Sequence, residues 1–253
     1  MEDFLKEIVL KAGELAKSYF LKGVQFTTKA HLGDLLTEAD TAVNNYLVGA
    51  IQRRFPDHRI YSEELAADIN PGGAYEWIID PIDGTRNFAM GIGLWCVMVA
   101  LYEGGQPRAA AIGNPLASEL FFARAGGGAT LNGLPIRVNA TATLDHAYGF
   151  CVRGINTTHE ERYRRFLDRI VNDTTVWMHN FGTMLGACYV ASGGADFFAE
   201  NCGFDHDHVA AALICAEAGA RVTDSDGRPW QRGRRDIVIA NPRLHPELLT
   251  LLK

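Results

Sequence analysis

The fold is decided by the stretch Trp77-Ile78-Ile79-Asp80-Pro81-Ile82-Asp83-Gly84-Thr85-Arg86-Asn87-Phe88, an apolar run that stops at two aspartates. Residues 75–79 are aromatic and β-branched, which predicts a short buried strand. Pro81 has no N–H group to continue a strand ladder, so we expect the chain to leave the sheet at Asp80. Asp80 and Asp83 are therefore predicted to lie together at a strand end.

A glycine and a threonine follow the two aspartates. Gly84 allows the backbone to approach a ligand closely, and a helix that begins near Thr85 would favour an anion such as phosphate. Carboxylate oxygens beside an anion site suit Mg²⁺ that bridges the protein and a substrate phosphate. Aspartates are also common turn and cap residues, and short motifs match by chance, so this stretch alone leaves both interpretations open.

Length and composition describe an ordinary globular chain. With 253 residues, of which 47% are hydrophobic and 21% charged, it can form one large domain or two closely packed halves. The net charge of −6 argues against a nucleic-acid partner, because a duplex-binding surface needs clustered Lys and Arg.

Cysteine usage and the N-terminus indicate the compartment. The five cysteines are scattered and never form a Cys-x-x-Cys pair, which favours neither a disulfide framework nor a zinc site. The first residues show no signal-peptide pattern, and no apolar run reaches the roughly 20 residues of a membrane span. We therefore expect a cytoplasmic protein that has no membrane partner.

Apolar spacing predicts the order of helices and strands. The first twenty residues form an amphipathic helix, and a second helix is capped by Thr37 and stops at Phe55-Pro56. A largely antiparallel sheet follows, and near residues 144–155 the pattern changes to alternating strands and helices, including a helix over 209–218. We expect residues 1–145 to carry most metal ligands and residues 146–253 to form an α/β half that completes the site.

The opening stretch resembles, almost position for position, the signature of the inositol monophosphatase family, which is Asp-Pro-Ile-Asp-Gly-Thr followed by a variable residue and Asn-Phe. The resemblance implies an α+β or α/β fold, layered as an αβαβα sandwich of the inositol monophosphatase and fructose-1,6-bisphosphatase type. It also implies a Mg²⁺-dependent, lithium-sensitive phosphomonoesterase that is commonly a homodimer.

A second motif of the family lies near the N-terminus. Lys29, Asp34 and Asp40 stand where the family has a Lys, the Asp of Asp-Leu-Val-Thr and a further Asp, which implies that they border the metal site. A helix cap formed by Thr37 and Asp40, and a surface charge at Lys29, explain the same residues without a metal.

A third motif is Ser62-Glu63-Glu64, which resembles the Gly-Glu-Glu of the family with a serine in place of the glycine. Adjacent acids are common in solvated turns, so the pair alone indicates little. The resemblance implies that Glu63 is a metal ligand and that Glu64 lies just outside the metal ligands.

Two acids of the second half complete the resemblance. The family has Trp-Asp, with Glu-Ala-Gly ten residues beyond the Asp, and counting back from Glu217 gives Asp207 rather than Asp205. His206 departs from the aromatic residue that the family usually has. Glu200, which closes a predicted strand, is implied to receive a substrate hydroxyl.

The run His206-Asp207-His208 raises the alternative of a transition-metal site. Its two histidines need not point the same way at the start of a helix, and no other histidine is clustered with them in sequence. The oxygen-rich remainder of the candidate ligands favours Mg²⁺.

The resemblance gives each candidate a role. The implied ligands of two or three Mg²⁺ ions are Glu63, Asp80, Asp83, Asp207 and the main-chain carbonyl of Ile82. The implied catalytic residues, which would orient and activate water, are Glu63, Thr85 and Asp83. The implied substrate contacts are Gly84, Thr85, Gly182, Thr183, Glu200 and Asp207. Four converging acids repel one another without cations, so such a site requires divalent metal.

The same core serves several substrates within the family, and inositol 1-phosphate is the first expectation. Arg86 and Trp95 resemble histidinol-phosphate members, which makes histidinol phosphate the alternative substrate, while His179 replaces an Arg of the family. An alternative of another class is an RNA- or transcription-associated binding protein with incidental phosphatase activity. The intact acids and the acidic net charge argue against that alternative.

Overall fold

The computed structural model describes residues 1–23, 26–28, 35–154, 157 and 160–253. Lys29 and Asp34, which were predicted to border the site, lie outside the described residues. The helices are α1 Glu2–Phe20, α2 Glu38–Arg54, α3 Thr85–Ala89, α4 Glu160–Asp173, α5 Leu185–Ala191, α6 Asp205–Glu217 and α7 His245–Leu251.

The strands form two large sheets and one small pair. Their bounds are β1 Phe26–Thr28, β2 Leu35–Thr37, β3 Arg59–Ser62, β4 Tyr75–Asp83, β5 Cys96–Glu103, β6 Gln106–Asn114, β7 Glu119–Arg124, β8 Gly128–Leu131, β9 Leu134–Ile136, β10 Tyr148–Val152, β11 Trp177–His179, β12 Phe197–Glu200, β13 Arg221–Thr223 and β14 Ile237–Ala240. Strands β3 to β9 lie in sequence order in a seven-stranded sheet, and only the β3–β4 pair in it is parallel. The five-stranded sheet has the order β11-β10-β12-β14-β13 and contains parallel and antiparallel pairs.

The division of the chain at residue 145 falls between these sheets. The first sheet ends with β9 at Ile136, and the second begins with β10 at Tyr148. The sheet content follows the predicted change from antiparallel strands to an α/β pattern. The division into domains at residues 1–145 and 146–253 stays a prediction.

Alternating side chains of β4 contribute to two layers of the fold. Trp77 and Ile79 pack with the buried faces of α1 and α2, whereas Ile78 packs on the other side with α5 and α6. Because successive strand residues point to opposite faces of a sheet, one apolar strand supplies both cores.

The five-stranded sheet divides its side chains in the same way. Phe198 of β12 packs with α5 and α6, and its neighbours Phe197 and Ala199 pack with α4 and α7. The layers are therefore α1–α2, the seven-stranded sheet, α5–α6, the five-stranded sheet and α4–α7. This arrangement confirms the predicted αβαβα sandwich.

The two predicted N-terminal helices are confirmed. The N–H group of Asp40 donates to Thr37 Oγ1 at 3.2 Å, and Asp40 Oδ2 accepts from the N–H group of Thr37 at 2.8 Å. This reciprocal capping box fixes the start of α2. The helix ends at Arg54, immediately before Phe55-Pro56.

β4 continues further than the sequence predicts. It extends to Asp83, which pairs with Cys96 of β5 after a register shift that begins at Asp80. The expectation that the chain leaves the sheet at Asp80 was therefore wrong. Pro81 is accommodated inside the irregular part of the ladder, where its missing N–H group is not needed.

α6 begins at Asp205, earlier than the predicted helix over 209–218. Asp207 consequently lies in the first turn of the helix and not before it. At the other end of α6, the Glu217 carboxylate accepts from the N–H groups of Gly126 at 2.7 Å and Gly128 at 2.8 Å, which ties the helix to the β7–β8 turn.

Arg232 joins α6 to the seven-stranded sheet. Its Nη1 and Nη2 donate to the two carboxylate oxygens of Glu76 at 2.7 and 3.2 Å, and its Nε donates to Asp205 Oδ2 at 2.9 Å. Glu76 belongs to β4 and Asp205 is the first residue of α6, so one guanidinium fixes the strand relative to the helix.

We expect Arg232→Ala to lower the free energy of unfolding by about 2–4 kcal/mol, because it leaves the buried Glu76 carboxylate with a weaker set of partners. Urea denaturation of the metal-free protein measures this change. Arg228→Ala is the matched control, since its ion pair with Asp226 is exposed and should contribute less than about 1 kcal/mol. Equal losses for the two variants would contradict the bridging role.

Candidate metal and phosphate site

A cavity of about 270 Å³ lies where the two halves of the chain meet. It is lined by residues of β4, α3 and α6, by the ends of β10 and β12, by Glu63 just after β3, and by the turn before α5. The lining residues are Glu63, Asp80, Ile82, Asp83, Gly84, Thr85, Arg86, Val152, Gly182, Thr183, Met184, Glu200, Cys202 and Asp207. All the predicted metal ligands and substrate contacts are thus gathered around one cavity, although their individual roles stay predictions.

Three buried or half-buried carboxylates form the floor of this cavity. Asp80, Asp83 and Asp207 each offer an oxygen, and these oxygens lie within 4.8 Å of one another. Asp80 Oδ1 is buried and has no hydrogen-bond partner among the described residues. A buried carboxylate oxygen without a donor is costly unless a cation satisfies it, so the donor set fits a hard divalent ion such as Mg²⁺.

Asp83 is oriented by donors from both halves of the chain. Its Oδ2 accepts from Thr183 Oγ1 at 2.5 Å, from the Met184 N–H group at 2.6 Å and from Cys96 Sγ at 3.2 Å. These bonds all end on Oδ2. Cys96 and Met184 were not predicted from the sequence. The pairing of Asp83 with Cys96 depends on strand register, and the Met184 contact depends on how the second half packs against β4.

Asp207 is held by the start of its own helix. Its Oδ2 accepts from the Phe204 N–H group at 2.5 Å. His206 Nε2 lies 3.6 Å from the same oxygen, and His206 Nδ1 lies 3.2 Å from the Tyr61 hydroxyl. The histidine that replaces the usual aromatic residue therefore packs beside this carboxylate and contacts β3.

The zinc alternative receives no support from the geometry. His208 points to Glu200 instead of joining His206, with 3.2 Å between His208 Nε2 and Glu200 Oε2. Among the residues whose positions the structure describes, the only group of three or more close metal-ligating side chains is the three aspartates. Their all-oxygen character is typical of Mg²⁺ rather than zinc.

Burial controls the protonation of the three aspartates. It raises the pKa of Asp80 well above its usual range, and neighbouring carboxylates raise that pKa further. It also raises the pKa of Asp83 to about 7, although the hydrogen bond from Thr183 opposes the rise. Burial likewise raises the pKa of Asp207. Without metal, the folded protein therefore keeps protons that the same carboxylates lose on unfolding.

Thr85 connects the cavity to the cap of α2. Its hydroxyl lies 2.9 Å from the Ile82 carbonyl oxygen and 3.3 Å from Asp40 Oδ1. Asp40 is fully buried, does not line the cavity and contacts it through Thr85. This position agrees with an outer role for Asp40, while Glu64 also lies outside the cavity lining.

The backbone at Gly84 excludes a side chain. Its φ angle is 88°, in the left-handed region, and an added Cβ would lie 3.0 Å from the Leu94 carbonyl oxygen and 3.3 Å from Thr183 Cβ. Glycine is therefore required by conformation and by space. The tight turn brings Asp83 and Thr85 to the same side of the cavity.

Two residues linked by the sequence to histidinol phosphate have different environments. Trp95 is completely buried against Phe20 and Phe88, so its ring does not reach the cavity. Arg86 is exposed and lines the cavity. His179 does not line the cavity and stacks on Tyr148 with ring centroids 4.3 Å apart.

Comparison with known proteins agrees with the fold. Residues 1–253 match the family model described as Inositol monophosphatase family. An inositol-1-monophosphatase of Synechocystis is 34% identical over 246 residues, covering 96% of this chain and 85% of the relative. A Nus factor SuhB of Pseudomonas aeruginosa is 32% identical over 225 residues, covering 87% and 83%.

A solved structure shows the same architecture. The extragenic suppressor protein SuhB from Bartonella henselae superposes with a TM-score of 0.91 at 27% identity, covering 99% of this chain and 97% of that one. By class the protein is a phosphoric monoester hydrolase, as members of the matched family are. The chain belongs to the inositol monophosphatase family, which confirms the resemblance found in its sequence.

Among the helices that the structure describes, none is both long enough and apolar enough to cross a lipid bilayer.

The raised pKa values predict how metal stabilisation depends on pH. Without metal, the stability contributed by the protonated aspartates is present near pH 4 and is lost as the pH rises through about 7, the pKa of Asp83. Mg²⁺ bound by these carboxylates would compete with the protons, so we expect a larger increase in Tm on adding Mg²⁺ at pH 8 than at pH 5.5. Differential scanning fluorimetry measures this increase in Tm at each pH, with KCl at equal ionic strength as the control. Equal shifts at both pH values would contradict proton–metal competition in this cluster.

Proposed function

We propose that this protein is a Mg²⁺-dependent phosphomonoesterase that hydrolyses a small polyol phosphate, with inositol 1-phosphate as the first candidate. The observation that carries the proposal is the group of three close aspartates, with the unpartnered Asp80 Oδ1, in a cavity that also contains Glu200. The inositol-1-monophosphatase of Synechocystis, similar over 96% of this chain, supports the choice of substrate.

The proposed ligands of two or three Mg²⁺ ions are the carboxylates of Glu63, Asp80, Asp83 and Asp207 and the Ile82 carbonyl. Mg²⁺ bound there supplies positive charge that stabilises the phosphate and makes water more acidic. The donors that converge on Asp83 Oδ2 keep that carboxylate in one orientation before any substrate binds.

The remaining cavity residues orient water and substrate. Glu63 and Thr85 position a water molecule for attack on phosphorus, and the P–O bond to the alcohol breaks to give the alcohol and inorganic phosphate. The backbone N–H groups of Gly84 and Thr85 donate to phosphoryl oxygens, and Gly182 and Thr183 form the opposite wall. Glu200 accepts a hydrogen bond from a substrate hydroxyl.

We expect Asp83→Asn to reduce Mg²⁺-dependent phosphate release by more than about 100-fold, since even residues that only support a metal ligand contribute 10- to 100-fold. The fold should remain intact, because the amide oxygen can accept the bonds that now end on Oδ2. In the metal-free state the variant should unfold at the same or a higher temperature than the wild type, since one buried carboxylate is removed. Retained turnover in a folded variant would overturn the assignment of Asp83.

The substrate is tested by phosphate release from inositol 1-phosphate and histidinol phosphate, measured side by side with Mg²⁺ and with Asp83→Asn as the blank. Trp95 cannot contact a substrate directly because it is completely buried. Arg86 places positive charge at the cavity, which disfavours the ammonium group of histidinol. We therefore expect the higher kcat/KM for inositol 1-phosphate. A higher value for histidinol phosphate would reject inositol 1-phosphate as the substrate.

Inhibition by lithium is expected from the family to which the chain belongs. We expect millimolar Li⁺ to lower the rate of phosphate release, because a monovalent ion in a site built for Mg²⁺ supplies less charge to the phosphate. Equal concentrations of KCl provide the control. An unchanged rate in LiCl would show that the ion site differs from that of lithium-sensitive members.

The similarity to a Nus factor favours a second candidate function, association with the transcription machinery. The net charge of −6 makes contact through a protein more favourable than contact through RNA phosphates. A salt titration of RNA binding tests contact through RNA phosphates, which simple hydrolysis does not require. We further propose a homodimer, which size-exclusion chromatography with light scattering would test.

A further inference from the structure

Glu200 is the cavity carboxylate that lies apart from the three aspartates. It is the last residue of β12, the central strand of the five-stranded sheet, and it pairs with Val152 on one side and Ile237 on the other. Its backbone is therefore fixed by two neighbouring strands. The side chain is 10% exposed and lines the cavity.

Two donors fix the Glu200 side chain, one on each carboxylate oxygen. Cys202 Sγ donates to Oε1 at 3.0 Å, and His208 Nε2 lies 3.2 Å from Oε2. Because a carboxylate accepts and does not donate, the imidazole supplies the hydrogen. A carboxylate has about four acceptor positions, so this arrangement leaves acceptor capacity for a ligand in the cavity.

His208 is itself confined by its surroundings. It lies in the first half of α6, is completely buried, and packs edge-on against Trp230 with ring centroids 5.7 Å apart. A Cβ atom at Gly203 would lie 2.1 Å from His208 Nε2, so the imidazole occupies the space that this glycine leaves. The ring cannot move toward that loop.

The loop that carries Cys202 is held from outside as well. Arg235 Nη2 donates to the Cys202 carbonyl oxygen at 2.8 Å, and its guanidinium lies 4.0 Å from the centroid of the Phe204 ring. The two donors to Glu200 therefore sit on a short segment that is fixed at both ends, by α6 and by Arg235.

We propose that His208 is a positioning residue that sets selectivity for a hydroxyl-bearing substrate, by holding Glu200 as the acceptor for the alcohol part of the molecule. The inference rests on the proposed phosphatase function and extends it to a residue that does not line the cavity. His208 acts through Glu200, so its loss should affect recognition of the alcohol and leave reaction at the phosphate unchanged.

The test compares His208→Leu and His208→Gln with the wild type on inositol 1-phosphate, glycerol 2-phosphate, histidinol phosphate and 4-nitrophenyl phosphate, whose leaving group has no free hydroxyl before cleavage. We expect His208→Leu to lower kcat/KM for the preferred hydroxylated ester by about tenfold, mainly through KM, as for one lost hydrogen bond to a charged group. The value for 4-nitrophenyl phosphate should not change. His208→Gln, whose amide nitrogen can replace Nε2 as a donor, should restore the preference.

His245→Leu is the matched control. His245 is 1% exposed and its Nε2 lies 2.9 Å from Thr223 Oγ1, so it is another buried, singly bonded histidine, and it does not line the cavity. The Tm of this variant measures the general cost of removing a buried imidazole. The ratio of kcat/KM for the hydroxylated ester to that for 4-nitrophenyl phosphate should not change.

The outcomes separate the inference from the proposed function. A wild-type preference for histidinol phosphate would reject the proposed substrate, and the effect of His208→Leu would then be measured on that ester. If His208→Leu lowered kcat/KM equally for all esters, or left the ratio between the hydroxylated ester and 4-nitrophenyl phosphate unchanged, the positioning role would be overturned. A wild type that releases phosphate from none of the esters would overturn both proposals.

Discussion

Electrostatic repulsion between buried carboxylates is the constraint on which the rest of the structure depends. Asp80, Asp83 and Asp207 come from two distant parts of the chain and offer oxygens within 4.8 Å of one another. In a medium of low polarity, such a group exists only with protons or metal ions to balance it. The raised pKa values of all three carboxylates express this cost. A divalent cation bound by these carboxylates would relieve this cost, which would favour metal binding.

Bonds across the middle of the molecule hold the carboxylates together against this repulsion. Asp83 of the first sheet accepts from Thr183 and Met184, which belong to the second half of the chain. Arg232 joins β4, the strand of Asp80, to the first residue of the helix that carries Asp207. The central α5–α6 layer packs against both sheets. The burial of these apolar side chains stabilises the arrangement in which the polar contacts form. The cavity is therefore a property of the assembled layers and not of either sheet alone.

Helices, strands and caps could be predicted where the cause is local in sequence, whereas the layered fold and the roles of the cavity residues were implied by the family resemblance. The apolar run before Asp80 and the cap at Thr37 depend on neighbouring residues, whereas Asp207 was chosen by the family's spacing to Glu217. The extension of β4 to Asp83 could not be predicted, because pairing with Cys96 compensates for Pro81 inside the strand. The His208–Glu200 contact was missed for the same reason, since it depends on how α6 packs beside β12. Local signals specify elements and motifs, whereas register and packing decide which side chains support the site.

The two ends of the cavity have different physical requirements, and this difference explains how one fold can serve several substrates. At the end proposed to bind phosphate, three carboxylates lie close together and Gly84 has a left-handed φ. A substitution there would change the charge balance of the carboxylates or strain the backbone of the turn. At the end of the cavity near β12, Glu200 accepts one hydrogen bond from Cys202 and one from His208, and it lies outside the aspartate cluster. If the proposed roles hold, a substitution there would change which alcohol is recognised while the carboxylates proposed to act on the phosphate stay in place. Substrate choice can therefore change on a constant catalytic core.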